Sequence, residues 1–358
     1  MKMKIRTLAL LLAACLLLPL GLAACAGGGE VVLSYKNVRL TEDVYRYWLA
    51  CYRAEFYLSE TEGTMADFAA LAEENIMRSV ICVGLFDAYG LQLDASARAT
   101  IDAAMERLVE NAGGRDALEE QAAAYGITYK GLKNAITYEQ KAAALRQYLV
   151  GTGGVYTVSD SEKSDFYKEN YARVQMIYIP YVDFVLDDAG NRVFDPQKGT
   201  YEYESKSGTE IAAQKEKVAA IRAAAEDGVD EKEFLDLMKL YNEDASAEEY
   251  PNGYYFTALE RDATYIKEIP AAATDMKIGE MREVKSEYGV HFLLRLTPEE
   301  DGYAKAENAD FFAGFETLVI NRAFYVIISS ELKSVTAHEA KNGIRYADTA
   351  PNFDLYWG

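Results

Sequence analysis

Two histidines, His291 and His338, and four cysteines, Cys15, Cys25, Cys51 and Cys82, are the chain's whole stock of imidazole and thiol chemistry. Zinc sites draw on Cys and His at short spacings, and no CxxC pair occurs, so metal chemistry is poorly supported and no cofactor is expected. A Ser-His-Asp hydrolase is poorly supported for the same shortage of histidine. His291 alternates with Val290 and Phe292 in a strand pattern, where it reads either as a hydrogen-bonded core group or as a site residue. Asp244, inside Asn242-Glu243-Asp244-Ala245-Ser246, either caps a turn or stands in a site. Tyr265 and Ile269, spaced i and i+4, suit ordinary core or the wall of a pocket.

Cys25 has a more specific context. The chain opens on basic Met1-Lys2-Met3-Lys4-Ile5-Arg6, continues through an apolar run from Leu8 to Leu22, and reaches Ala23-Ala24-Cys25. That is the layout of a secretory signal, and the run is too short for a comfortable transmembrane span. Leu22-Ala23-Ala24-Cys25 resembles the bacterial lipobox, in which the cysteine sulfur is acylated and becomes the mature N-terminus. Leu12-Ala13-Ala14-Cys15 spells a similar box but leaves an apolar region of only about eight residues. Residues 1–24 are thus expected to be removed, Cys25 to carry lipid, and residues 25–29 to form a flexible tether. Cleavage takes away Lys2, Lys4 and Arg6 and no acid, which leaves 34 basic against 57 acidic residues, a net charge of −23. Such a surface repels nucleic acid and anionic headgroups, so neither is an expected partner. Cys51 and Cys82 lie in apolar helical patterns as core thiols, with a disulfide between them left open by the exported setting.

Hydrophobic periodicity supplies the elements around these residues. Residues 31–36 read as a short strand. A helix from residue 41 carries Tyr45, Trp48, Leu49, Tyr52 and Phe56 on one side, a stripe for packing or for binding peptides. Further helices are expected over 65–89, 94–111, 115–125 and 128–149, each closed near a glycine, and another follows the acids at 159–162. Val174 to Ile179 is a strand, and 182–204 an acidic, solvated hairpin around Asp188-Ala189-Gly190-Asn191. Helices follow at 209–226 and 231–241, 242–262 reads as loop with short helical segments after it, and strands return at 283–284 and 290–296. A last helix spans 308–333. No internal repeat is seen.

Residues 165–297 resemble the parvulin family of peptidyl-prolyl isomerases. The likeness rests on Lys277-Ile278-Gly279-Glu280-Met281, on Tyr288-Gly289-Val290-His291-Phe292, on the helix Gly228 to Leu240, and on Tyr241-Asn242-Glu243-Asp244. Asn252-Gly253-Tyr254-Tyr255-Phe256-Thr257 stands where the family has its glycine-rich loop. With the signal and helical flanks, the layout is similar to that of PrsA-type foldase lipoproteins, whose N-terminal part is SurA-like.

This resemblance implies an α+β protein. Its parts would be a helical, chaperone-like domain (30–160, with a C-terminal helix and tail, 301–358) and an inserted parvulin-like domain (165–297) of four-stranded sheet and helices. It implies His291 as the second family histidine and Asp244 at the family's Asp/Cys position. The first histidine falls on Met176 and is missing. The resemblance also implies Tyr265 and Ile269 as the pocket for the proline ring, with Phe256 and Tyr288 beside it. The three aspartates in 183–188 stand against a phosphorylated substrate. Rotation about X–Pro faces a barrier of about 18–20 kcal/mol, which an isomerase lowers by gripping the ring, drying the amide and favouring the twisted state. The implied function is a lipid-anchored foldase on the extracytoplasmic face of a bacterial membrane. It would act on unfolded exported chains with X–Pro bonds, and a homodimer is left open. Two rivals are a non-catalytic holdase on a degenerate scaffold and a solute-binding lipoprotein.

Overall fold

The computed structural model describes residues 28–58, 63–196, 198–259, 266–349 and 355. The signal segment and Cys25 lie outside them. The chain divides into two compact units: residues up to Thr157 together with those from Ile320 onward, and residues Val158–Val319.

The first unit begins with a hairpin, β1 (Val31–Tyr35) and β2 (Val38–Thr41), turned at Lys36 with φ 49°. The sequence reading has one strand here. The second is short, and what makes it a strand is its pairing to β1. Five helices follow: α1 (Glu42–Leu58), α2 (Met65–Ala88), α3 (Ala95–Ala112), α4 (Arg115–Ala124) and α5 (Tyr129–Val150). Their starts are set by side-chain caps at Thr64, Asp94 and Thr128, and left-handed Gly113 ends α3. Tyr45, Trp48 and Leu49 on α1 are buried and Tyr52 and Phe56 pack on the same core, so the aromatic stripe is packing. Gly84 on α2 lets Tyr35 lie against the helix: a Cβ there would stand 2.5 Å from the ring.

The second unit opens with α6 (Asp160–Asn170), held by the Ser159/Glu162 capping box, which runs straight into β3 (Tyr171–Pro180). An excursion follows, β4 (Val182–Phe184), β5 (Phe194–Asp195), β6 (Thr200–Tyr201) and β7 (Tyr203–Ser205). It has two turns where the sequence suggested one, because Asp187 accepts from the Ala189 and Asn191 amides and Gly199 closes a second turn on Asp195. It is also not wholly solvated, since Phe184 and Tyr203 both pack on Tyr288. Then come α7 (Gly208–Ala224), α8 (Glu231–Tyr241), β8 (Tyr254–Thr257), α9 (Glu268–Asp275), β9 (Met281–Ser286) and β10 (Gly289–Leu296). Strand β8 lies in a stretch that reads as loop. Its strand character comes from pairing with β3, for which Gly253 (φ 95°) must pass close to the Val174 carbonyl.

The sheet is antiparallel, ordered β8–β3–β10–β9. Ile177, Ile179, Phe292 and Leu294 meet Val218 and Ile221 of α7 and Phe234 of α8 on one face. Val174, Met176, Tyr178 and Leu293 meet Ile269 and Ala273 of α9 on the other. With both faces covered, every residue of β10 is buried, His291 included.

The expected single helix over 308–333 is divided. A 3-10 segment (Ala306–Phe312) breaks near Gly314 before α10 (Phe315–Ser329). Phe311, Phe312 and Phe315 all pack in the aromatic cluster of Tyr167, Tyr171 and Tyr255, and the break falls at a glycine, the residue of low helix propensity in this stretch. From Ile320 on the chain belongs to the first unit, where β11 (Thr336–Ala337) joins the β1 edge.

Candidate functional site

His291 stands in the middle of β10, 1% exposed and directly opposite Tyr178 on β3. The two rings stack, with centroids 4.6 Å apart and planes 10° from parallel. Nε2 lies 3.0 Å from Ser286 Oγ at the end of β9, while Nδ1 has no hydrogen-bond partner among the described residues. Burial without a carboxylate partner pushes the imidazole pKa down to about 4, so the ring is neutral at physiological pH. It can exchange a hydrogen bond with Ser286, but it is not placed as a cationic acid.

Asp244 reaches the same face by a different route. The chain leaving α8 runs along β3 where β8 does not cover it. Asn242 Oδ1 accepts from the Tyr178 amide at 2.8 Å, and the Glu243 amide donates to the Tyr178 carbonyl at 3.0 Å. Asp244 follows as the cap of a 3-10 turn, with Oδ1 accepting from the Ser246 amide at 3.1 Å. The capping reading of Asp244 therefore holds. Its second oxygen accepts from Tyr254 Oη at 2.6 Å, which places a carboxylate at the edge of the face that carries His291. Burial and this carboxylate together push the Tyr254 phenol far above its ordinary pKa.

Met176 packs in the same apolar cluster, opposite Leu293 rather than His291. Ile269 joins it from α9 at 3% exposure, and Phe256 packs at its rim, stacked on Tyr254. Tyr288 is fully buried in the turn between β9 and β10, where its carbonyl accepts from Tyr178 Oη at 3.1 Å. Tyr265 lies outside the described residues. The structure thus brings His291, Met176, Ile269, Tyr288 and Phe256 to one face, with Asp244 at its margin. The described residues of that face are closely packed, not hollow.

Sequence reasoning missed Tyr178, Ser286, Asn242 and Tyr254. Tyr178 was within reach, since it lies two residues beyond Met176 and strand parity puts both on one face. Ser286 and Asn242 carry no such signal, because their roles arise where separate segments meet. A cleft of about 380 Å³ opens on the opposite face, lined by Lys215, Arg222, Lys285 and Ser286 among others.

No protein-family model matches the chain, and no curated protein matches it. Among solved structures it is similar to PrsA from Bacillus subtilis, at 16% identity over 86% of this chain and 91% of that one, with a TM-score of 0.23. It is similar to the peptidylprolyl isomerase PrsA of Bacillus anthracis, at 17% identity over 74% and 96%, with a TM-score of 0.26. It is also similar to the foldase protein PrsA of Streptococcus pneumoniae, at 14% identity over 86% and 93%, with a TM-score of 0.23. Superpositions this loose carry no argument about function.

Proposed function

We propose that the chain is a lipid-anchored extracytoplasmic folding factor that holds unfolded exported chains, with its parvulin-like sheet acting chiefly as a scaffold. One observation carries this reading: His291, which shares its sheet face with Met176, Ile269 and Tyr288, is 1% exposed and stacked on Tyr178. A prolyl isomerase must admit a proline ring beside its histidine, and among the described residues the buried stack leaves no room for one. Apolar contact is on offer instead on the helical unit. Tyr57, Met65 and Leu71 are 68%, 44% and 44% exposed around the stacked pair Phe56–Phe68 at the α1–α2 end. An apolar segment of an unfolded client is the occupant that suits it.

Two measurements separate holding from isomerisation. The full chain is expected to suppress aggregation of a reduced or unfolded client, and Tyr57→Glu with Met65→Glu is expected to weaken that several-fold. In a protease-coupled peptide assay with Ala, Leu or Phe before proline, rates should stay at the uncatalysed level. Acceleration that His291→Ala abolishes would establish the isomerase reading instead, which the convergence of His291, Met176 and Ile269 favours.

A further inference from the structure

Asp43 is buried to 1% exposure at the first turn of α1, and four donors meet its carboxylate. Oδ1 accepts from Thr41 Oγ1 at 2.6 Å and the Val44 amide at 2.9 Å. Oδ2 accepts from Thr128 Oγ1 at 2.6 Å and the Gly28 amide at 2.9 Å. A buried carboxylate held by hydrogen bonds and the positive end of a helix needs its donors, so Gly28 is part of the helical unit. Its seat admits no side chain: a Cβ on Gly28 would stand 2.6 Å from the Thr128 methyl. Gly29 has φ 101°, and a Cβ there would stand 2.9 Å from Glu42 Cβ. At the end of the stretch expected as a tether, Gly28 is thus hydrogen-bonded to Asp43 and Gly29 takes left-handed backbone.

We infer that the unit containing α1 and α5 is held directly against the lipid headgroup surface; this rests on the reading that Cys25 carries the lipid. Two residues, Ala26 and Gly27, separate Cys25 from Gly28, three Cα steps that span at most about 11 Å when fully extended. That is close to the Debye length of about 8 Å at physiological ionic strength. A mature chain of net charge −23 is repelled by an anionic bilayer, so a free tether would let the body drift outward. The Asp43 seat denies it that slack. The cations beside the seat are matched by acids, Arg115 pairing with Glu119 at 2.9 Å and Arg46 with Glu42 at 3.7 Å, so the short reach from Cys25 and not charge attraction is what holds the unit at the surface.

The test is neutron reflectometry of the lipidated full chain on a supported bilayer of phosphatidylglycerol and phosphatidylcholine. The body is expected to meet the headgroups without a solvent layer, and raising the salt should leave its height unchanged. Gly28→Val, whose side chain meets the Thr128 methyl and so unseats the amide, should open a gap that widens as salt is lowered. If that variant folds poorly, a flexible Gly-Ser insertion of about twelve residues ahead of Gly28 serves in its place, since it lengthens the reach and keeps the seat. A salt-dependent gap under the unaltered chain, or a Gly28 amide that exchanges as fast as an unstructured one, overturns the inference. Mass analysis of the Cys25 peptide is a separate readout: an unacylated cysteine refutes the anchored reading itself.

Discussion

At residue scale, His291 illustrates how surroundings set chemistry. Its imidazole binds a proton at about 6.5 in an unfolded chain but only near 4 in the folded one, because burial excludes the charged form. Between those values the unfolded state holds more protons. This contribution to stability is therefore intact above about pH 6.5 and falls away as the pH drops toward 4, by up to about 3 kcal/mol. His291→Phe keeps the ring stacked on Tyr178 and removes the titration. Urea denaturation at about pH 7.5 and about pH 5 should show a smaller acid loss for this variant than for the unaltered chain. An equal loss in both would mean that His291 does not gain its proton on unfolding.

At the scale of elements, the segment after β10 is tied to β8 through Glu299. Its carboxylate accepts from Tyr255 Oη at 2.8 Å and from Asn308 Nδ2 at 3.2 Å, and Asn308 also donates to the Gly302 carbonyl at 2.9 Å. Around this hub Phe312 packs between Tyr167, Tyr171 and Tyr255. Glu299→Ala leaves buried donors unsatisfied and should cost about 1–3 kcal/mol. Hydrogen exchange should then quicken across the 3-10 segment Ala306–Phe312 while β10 stays protected. Unchanged exchange there would show that aromatic packing alone holds the segment.

At the scale of the whole molecule, the two units have separate cores. One is centred on Tyr45, Leu49, Ile76, Leu132 and Ile136 and includes Ile328 from the C-terminal segment. The other is split between the two faces of the sheet and the aromatic cluster around Tyr167. A unit with its own core unfolds cooperatively on its own. Residues 158–319 expressed alone should therefore give a single sigmoidal melt with the circular dichroism of a mixed helix-and-sheet fold. The remainder, closed by a short linker between Thr157 and Ile320, should keep its helical signal, because β11 still pairs with β1 through Leu33 and Ala337. Loss of cooperativity in either piece would mean that the cores depend on each other.

What the sequence determined by itself is what local forces decide. Capping residues and glycines located the helices to within a residue or two: α8 runs Glu231–Tyr241 as its pattern reads, and Thr128 opens α5. The signal-like start is likewise a property of consecutive residues. Tertiary structure alone decided what depends on pairing across distance. Strands β2 and β8 exist because β1 and β3 accept them, and the last apolar stretch divides near Gly314 where its pattern reads as one helix. The site divides along the same line. Strand parity places His291 and Met176 on one face, but only the register sets Tyr178 opposite the histidine and Ser286 beside it. Only the burial that follows from that packing makes the imidazole neutral and closes it off. Gly28 makes the same point, since composition reads it as slack, whereas the fold brings its amide to the Asp43 carboxylate.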